Sequence, residues 1–366
     1  MLLSQLKSAL AYHNRFIFKV TSSQGSSNLD MERFIQAWHQ VVTRHAILRT
    51  CFVDSQSNRG HRDQVVLRFV PEDIITILPT VEEPIQALNI QPLKASFEGK
   101  PWHHLTICSS QSGELLILLE INHVLLDGTS LHILVRDLRL AYDKALSSGL
   151  GPSYHNYIEY LQTIPLNVAK EYWTRYLSGS DPCILPTSYP NDTRPSLQRM
   201  QAHTFNLGTG SDQRKLCVDH GVTLSNLFYA AWGLVLRAYT GLEDVSFGYL
   251  TSGRDIPIHG IAEAVGPYIN MLVCRMKFSK DLAVAELLRN TQEDYLRSSK
   301  HQHLSLADIQ RPLNLPETSL FNTIISIQKG GVATRAREKT SIEIEAIEGE
   351  DPTEAGPIYI SPEYIC

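Results

Sequence analysis

Paired cysteines are what this chain most plainly lacks. Its six cysteines, Cys51, Cys108, Cys183, Cys217, Cys274 and Cys366, are scattered, with no Cys-x-x-Cys. That pattern argues against disulfides or a zinc site and reads as reduced, mostly packing thiols of a cytoplasmic protein. No apolar run reaches the roughly eighteen residues that span a bilayer. The opening MLLSQLKSAL is too short and too polar for a secretory signal. Basic charge is not in excess, 33 Lys and Arg against 38 Asp and Glu for a net −5, which argues against a nucleic-acid or polyanion partner. There is no Gly-x-Ser-x-Gly elbow, so Thr251-Ser252-Gly253 is not read as a hydrolase nucleophile. Short repeats and low-complexity tracts are missing too. With 43% hydrophobic and 19% charged residues, the composition is that of a folded globular protein.

What is present centres on residues 115–130, LLILLEINHVLLDGTS. The apolar run from Leu115 to Leu119 has strand length and ends at the turn signal Asp127-Gly128. Beyond the turn, Leu131, Leu134, Val135 and Leu138 recur at i, i+3, i+4 and i+7, the mark of a helix with one buried face. Thr129 or Asp127 is suited to cap it. His123 thus stands where a buried strand gives way to a turn, a place that holds a side chain firmly and leaves its tip open to a cleft. A neutral imidazole there can act as a general base near neutral pH. The Asp127 carboxylate is within reach either to bond the imidazole or to brace the loop through a cation elsewhere. Taken alone, His-x-x-x-Asp-Gly is more often a buried histidine satisfied by backbone.

At 366 residues the chain is long enough for two domains or lobes. Alternation predicts a strand over 12–20, and helical spacing predicts a helix over 31–45. A hairpin partner is expected over 60–71, a short acidic helix over 79–90 and a strand over 101–109. Helices follow at 154–161 and 168–177. Residues 179–197 hold Pro182, Pro186, Pro190 and Pro195 without periodicity, and the stretch 179–200 is taken as the crossover between lobes spanning 1–178 and 201–366. The second lobe restarts with a strand at 202–207 and a helix at 211–220. A nearly all-apolar helix at 223–239 is expected to be buried, with Thr223 or Ser225 as its cap. Strands at 245–250, 271–276 and 321–328, a helix at 282–300, a basic loop at 329–339 and a charged strand and loop complete it. The His103-His104 and His301-Gln302-His303 pairs lack further ligands at metal-binding spacing, so no metal site is assigned.

Taken together these segments resemble the condensation domains of nonribosomal peptide synthetases, most closely fungal ones. Arg44-His45-Ala46-Ile47-Leu48-Arg49-Thr50 is similar to that family's RHxxLRT segment. Asn122-His123-Val124-Leu125-Leu126-Asp127-Gly128 is similar to its HHxxxDG signature. Residues 154–161 match its short aromatic motif and 223–254 its helix, strand and SGR turn. Residues 265–270 match VGPFIN, and 321–328 the FNT strand. HxxxDG alone is shared by related acyltransferases; the ordered series across almost the whole chain is far more specific.

The resemblance implies an α/β fold of two lobes, each similar to chloramphenicol acetyltransferase, set in a V with a central tunnel. It implies an acyltransferase that joins a carrier-bound acyl or peptidyl thioester to an amine or hydroxyl acceptor. No cofactor is bound covalently; substrates arrive on the phosphopantetheine arms of carrier proteins, and adjoining synthetase domains are partners. His123 carries over as the active-site histidine, taking the proton of the attacking amine or orienting it and stabilising the tetrahedral state. Asp127 carries over as a structural carboxylate paired with Arg254. Gly128 carries over as a place where backbone approaches the tunnel, and Asn270 as either a hydrogen-bonding wall residue or a loop-ordering amide. The open alternatives are a soluble acyl-CoA-dependent acyltransferase and a truncated, inactive domain that only docks carriers.

The chain departs from the pattern in three ways. Asn122 replaces the first signature histidine, a mainly structural position where an amide still donates and accepts hydrogen bonds; such variation fits subclasses that release product by cyclisation. The chain is expected to lack the family's first helical turn and, after 350–354, several second-lobe strands, a crossover and a DFGWG-type motif. No adenylation motif or carrier attachment serine is seen, so substrates must come from elsewhere.

Overall fold

The structure, a computed structural model, describes residues 12–23, 29–55, 62–92, 99–111, 113–186, 210–313, 319–327, 340–348 and 358–361. The chain divides into two compact units. The first comprises the described parts of Met1–Ile164, Arg254–Ile269 and Lys329–Gly356; the second comprises those of Pro165–Gly253, Asn270–Gln328 and Pro357–Cys366. The units therefore part between Ile164 and Pro165, and two later segments return to the first. Much of the expected 179–200 crossover lies outside the described residues, as do the predicted 202–207 strand and 329–339 loop.

The first unit is a five-stranded sheet in the order β10-β1-β6-β5-β4. Its strands are β1 (His13–Ser22), β4 (Ile75–Ile77), β5 (His103–Ser109), β6 (Leu115–Asn122) and β10 (Ile342–Glu348). Only β4 and β5 pair parallel. β6 lies at the centre, and all eight of its residues are buried. Its Leu115, Ile117, Leu119 and Ile121 face the helices α1 (Met31–Arg44) and α3 (Gly128–Tyr142). Leu116 and Leu118 pack with Ile17, Cys108 and Leu88, the last on the short helix α2 (Pro84–Asn89). Burial on both faces is why the strand reads as a continuous apolar run rather than an alternation. α1 follows the predicted face, burying Phe34, Trp38, Val41 and Val42, and Asp30 caps it by accepting the Arg33 N–H. The predicted hairpin forms as β2 (Thr50–Asp54) and β3 (Arg62–Val66).

β10 alternates between buried Ile342 and Ile344 and exposed Glu343 and Glu345. Its inward isoleucines join the core of α1 and α3. Period-2 alternation announces a half-buried strand, and the free edge of β1 supplies its partner, with Ile342 opposite Ser22.

The second unit is built on a four-stranded sheet in the order β11-β9-β7-β8. Its strands are β7 (Asp244–Thr251), β8 (Asn270–Lys277), β9 (Ile324–Ile327) and β11 (Ile358–Ser361). After α4 (Tyr154–Thr163) in the first unit come α5 (Leu166–Tyr176), α6 (Ser211–His220), α7 (Leu224–Thr240), α8 (Val284–Ser299) and α9 (Leu306–Gln310). The hydroxyl of Thr223 caps α7 by accepting the Asn226 N–H. That helix is not wholly buried as its composition led us to expect. Tyr229, Ala230, Gly233 and Leu236 face the core, while Leu224, Leu234, Val235 and Tyr239 are exposed, Tyr239 by 72%. A helix apolar all round has no stripe to point inward, so packing chose one face and left the other to solvent among the described residues.

The RHxxLRT-like segment locks α1 to α3 through one carboxylate. Asp137 is 1% exposed. It accepts from Arg44 Nε at 3.3 Å and lies 2.9 Å from His45 Nε2, while Arg136 donates to its other oxygen at 2.6 and 2.9 Å. Burial acts to raise its pKa, but the His45 bond and the Arg136 charge outweigh it and hold the carboxyl below the usual range. Asp137→Asn, which removes the charge facing His45, Arg44 and Arg136 while Arg44 keeps the Ser147 and Gly149 carbonyls, is therefore expected to destabilise by about 1–3 kcal/mol at neutral pH. A carboxyl depressed in the folded state stabilises above its unfolded pKa and loses that contribution as pH falls through the folded value. The gap between the urea midpoints of wild type and Asp137→Asn should thus narrow in acid, and a gap independent of pH contradicts the assignment.

Candidate functional site

The signature residues sit where β6 ends and α3 begins, both in the first unit. The backbone there is held from two neighbouring segments. His123 N–H donates to the Tyr12 carbonyl at 2.8 Å, and Asn122 N–H donates to the Trp102 carbonyl at 2.9 Å. The Asn122 side-chain oxygen accepts the Val124 N–H at 3.0 Å, and its carbonyl accepts the Leu125 N–H at 3.0 Å. An asparagine can close its own turn in this way, which a histidine does less readily. The His123 side chain is half-buried. Its Nδ1 is buried and has no hydrogen-bond partner among the described residues.

Asp127 is 1% exposed and saturated. It caps α3 by accepting the Ser130 N–H at 2.8 Å, and the Ser130 hydroxyl lies 2.7 Å from the same oxygen. Arg254 Nη2 donates to its two oxygens at 3.0 and 3.2 Å, and the Tyr268 N–H donates to Oδ2 at 3.2 Å. Of the two roles open to Asp127, the geometry takes the second: it braces the loop through a cation. Asp127, rather than Thr129, is the cap. A buried carboxylate needs this many donors, because an unpaired charge in the interior is strongly disfavoured.

Arg254 does more than neutralise Asp127. Its Nη1 donates to the carbonyls of Ile261 and Ala264, both at 2.8 Å, and its guanidinium lies 4.3 Å above the Tyr268 ring. One arginine therefore shapes the whole 254–269 segment around the α3 N-terminus. Ser130 supplies a second tie. Its Oγ accepts the Gly266 N–H at 3.0 Å and lies 2.9 Å from the Gly266 carbonyl. Tyr154 of α4 donates its hydroxyl to the Pro267 carbonyl at 3.3 Å and packs edge-on against Tyr268. Burial pushes the Tyr268 phenol up to about 12, against the lowering pull of Arg254, and raises Tyr154 further. Both hydroxyls stay neutral over the physiological range.

The two signature-region glycines differ. A Cβ at Gly266 would stand 2.4 Å from Tyr154 Cδ2, whereas one at Gly128 would meet nothing within 4 Å. Gly128 is exposed, so its lack of a side chain is not a demand of the chain's own packing. Asn270 lies in the second unit. Its Nδ2 donates to the carbonyls of Gln302 and Leu304 at 2.6 and 2.7 Å, and its oxygen accepts the Met271 N–H at 2.9 Å. That is the loop-ordering arrangement of the two expected for it. His103 spends Nε2 on the Leu48 carbonyl at 2.7 Å, and burial drops its pKa to about 4. His104 Nε2 lies 2.8 Å from the Thr76 hydroxyl, and His301 stacks on Tyr172. Among the described residues, no three His, Cys, Asp or Glu side chains are grouped to hold a metal.

The structure thus brings His123, Asp127, Asn122 and Arg254 into one region, with Gly128 at its exposed rim. It adds Ser130, Tyr154, Gly266 and Tyr268, to which sequence reasoning gave no individual role. For Ser130 a signal existed: it stands third after the cap, where a hydroxyl can share the capping carboxylate.

A family model described as Condensation domain matches residues 3–351. The chain is 38% identical over 357 residues to Nonribosomal peptide synthetase 1 of Aspergillus fumigatus, covering 97% of this chain and 6% of that protein. It is 37% identical over 355 residues to Nonribosomal peptide synthetase 4 of Gibberella zeae, covering 97% and 5%. It therefore spans only a small part of the length of the curated relatives it matches. Among solved structures, it resembles the X-domain from teicoplanin biosynthesis, with TM-score 0.75 and 19% identity over 97% of this chain and 82% of that one. It also resembles the condensation domain from the Monacolin K polyketide synthase MokA, with TM-score 0.70 and 17% identity over 95% and 82%. The chloramphenicol-acetyltransferase-like fold of these neighbours is the fold of this chain. No helix among the described residues is long and apolar enough to cross a membrane.

Two glycine substitutions separate packing from function. Gly266→Ala forces Tyr154 aside and is expected to destabilise by about 1–3 kcal/mol, while Gly128→Ala should stay within about 0.5 kcal/mol of wild type. Denaturant unfolding of both variants checks this, and equal losses would refute the contrast.

Proposed function

The chain belongs to the condensation-domain family, and from that membership we propose that His123 is the group that handles the proton when an acceptor amine attacks a carrier-bound thioester. Domains of this family are acyltransferases of nonribosomal peptide synthesis that form amide or ester bonds. The observation that carries the proposal is the division of labour at the β6–α3 junction. Asp127 is wholly committed to Ser130, Arg254 and the Tyr268 N–H, whereas the half-buried His123 side chain takes no part in that network.

In the proposed reaction the amine nitrogen attacks the thioester carbonyl. The C–N bond forms and the C–S bond breaks, the amine proton passes to the imidazole, and the departing thiolate takes it up. The imidazole is suited to this because it both accepts and returns a proton near neutral pH. Holding two tethered reactants together supplies a large part of the acceleration. Both substrates are taken to arrive on phosphopantetheine arms of carrier proteins, with adjoining synthetase domains as partners. Asp127 and Arg254 act at one remove, by fixing the turn and the 254–269 segment. Asn122 closes the turn, and the bare Gly128 keeps its rim clear for substrate.

The test is single-turnover condensation with matched carrier-bound donor and acceptor. His123→Ala is expected to reduce product formation by at least about a hundredfold with an unchanged unfolding curve. Product formation that survives His123→Ala removes the histidine from the chemistry. Equal turnover from soluble acyl-CoA without carriers supports the CoA-dependent reading instead, and carrier binding with no turnover in wild type supports a docking role. Arg254→Ala is expected to lower both stability and activity, since it leaves the Asp127 charge buried and unpaired, a loss of about 3–5 kcal/mol. An Arg254→Ala protein that unfolds like wild type would contradict the bracing role.

A further inference from the structure

One buried charge in the first unit is left unused by this account. Glu120 interrupts the apolar run of β6 and is 0% exposed. Neither of its carboxylate oxygens accepts a hydrogen bond among the described residues. Its nearest basic side chains come from β1: His13 Nε2 at 3.6 Å, with a side chain 3% exposed, and Arg15 Nε at 3.8 Å. Across the other neighbouring strand, His104 of β5 is its register partner. Within β1, Arg15 stands opposite Glu120 and His13 opposite Asn122. Arg15 is anchored separately, its Nη2 donating to the Leu88 carbonyl at 3.1 Å.

This arrangement is poor for stability. A carboxylate removed from water with no hydrogen bond is disfavoured, and contacts at these distances return less than its burial costs. A neutral residue of the same shape would suit the fold better. What the carboxylate does accomplish is local. It draws the first residue of β1 against β6, three positions before His123. The residue just ahead of His13 is Tyr12, which holds a left-handed backbone at φ 63 and offers the carbonyl that accepts the His123 N–H. A non-glycine residue in that region persists only where its surroundings hold it.

We infer that Glu120 is a positioning residue for His123: its buried contact with His13 pins the start of β1, and with it the strained Tyr12 carbonyl that fixes the His123 backbone. The inference rests on the reading that His123 is the active-site base. It explains why a charge stands in a buried strand that is apolar up to that point, since functional sites commonly retain groups that the fold alone would do better without.

The experiment is a double-mutant cycle of Glu120→Gln and His13→Gln, with three readouts. Thermal unfolding of Glu120→Gln should be unchanged or higher. Its kcat in the carrier-dependent assay should fall by roughly ten- to a hundredfold with little change in KM. The double variant should be no slower than either single one, because both break the same tie. Hydrogen exchange of peptides covering residues 119–125 should speed up in Glu120→Gln and His13→Gln alike, a readout that does not depend on turnover. Glu120→Asp, which keeps the charge, should recover part of the rate. Unchanged kcat and exchange in Glu120→Gln, a lowered melting temperature without a rate effect, or losses that multiply in the double variant would each overturn the inference. If His123→Ala itself retains full activity, the functional reading fails instead, while the exchange measurement still decides whether Glu120 holds this turn.

Discussion

The site depends on a single buried carboxylate that had to be surrounded. Asp127 sits at the N-terminus of α3 with almost no exposure, in a place where an unpaired charge would be intolerable. A backbone N–H and a hydroxyl from its own helix turn, a guanidinium more than a hundred residues later, and the N–H of Tyr268 together satisfy it. Each of those donors has further obligations. Arg254 holds two loop carbonyls, Ser130 holds Gly266, and Tyr268 packs on Tyr154 and Tyr157. Satisfying one charge therefore fixes the 254–269 segment and the start of α3, and leaves His123 on a turn with no freedom to drift.

Histidine and aspartate four residues apart invite comparison with a hydrolase dyad, and the geometry answers differently. In a dyad the carboxylate orients the imidazole and fixes its tautomer. Here the carboxylate is turned to the arginine, and the orientation of His123 comes from backbone hydrogen bonds on both sides of the turn.

Local signals were legible where one element decides the outcome. The strand–turn–helix around His123, the amphipathic α1 and the Thr223 cap follow from periodicity and end chemistry. The Asp127–Arg254 pair was legible only through resemblance, since no spacing rule links positions 127 apart. The Tyr268 N–H could not be assigned because a backbone donor carries no side-chain signature, whereas the place of Ser130 three residues after the cap was a signal left unread. α7 was misread because its composition was uniformly apolar, and uniformity hides which face will be covered. The alternation of β10 announced a strand but could not say that its partner would be β1, because pairing is decided by which edge stands open.

That pairing orders events in time as well as in space. A ribosome releases the chain from its N-terminal end, so β1 and β6 are available long before residues 342–348 exist. At typical synthesis rates of 5–20 residues per second the interval is on the order of tens of seconds. Throughout it one edge of β1 is unpaired, and the Asp127 carboxylate waits for an arginine not yet made. An open strand edge is a template for wrong partners. The nascent first unit must therefore remain loosely formed, or be shielded, until late segments arrive to close its sheet and neutralise its charge.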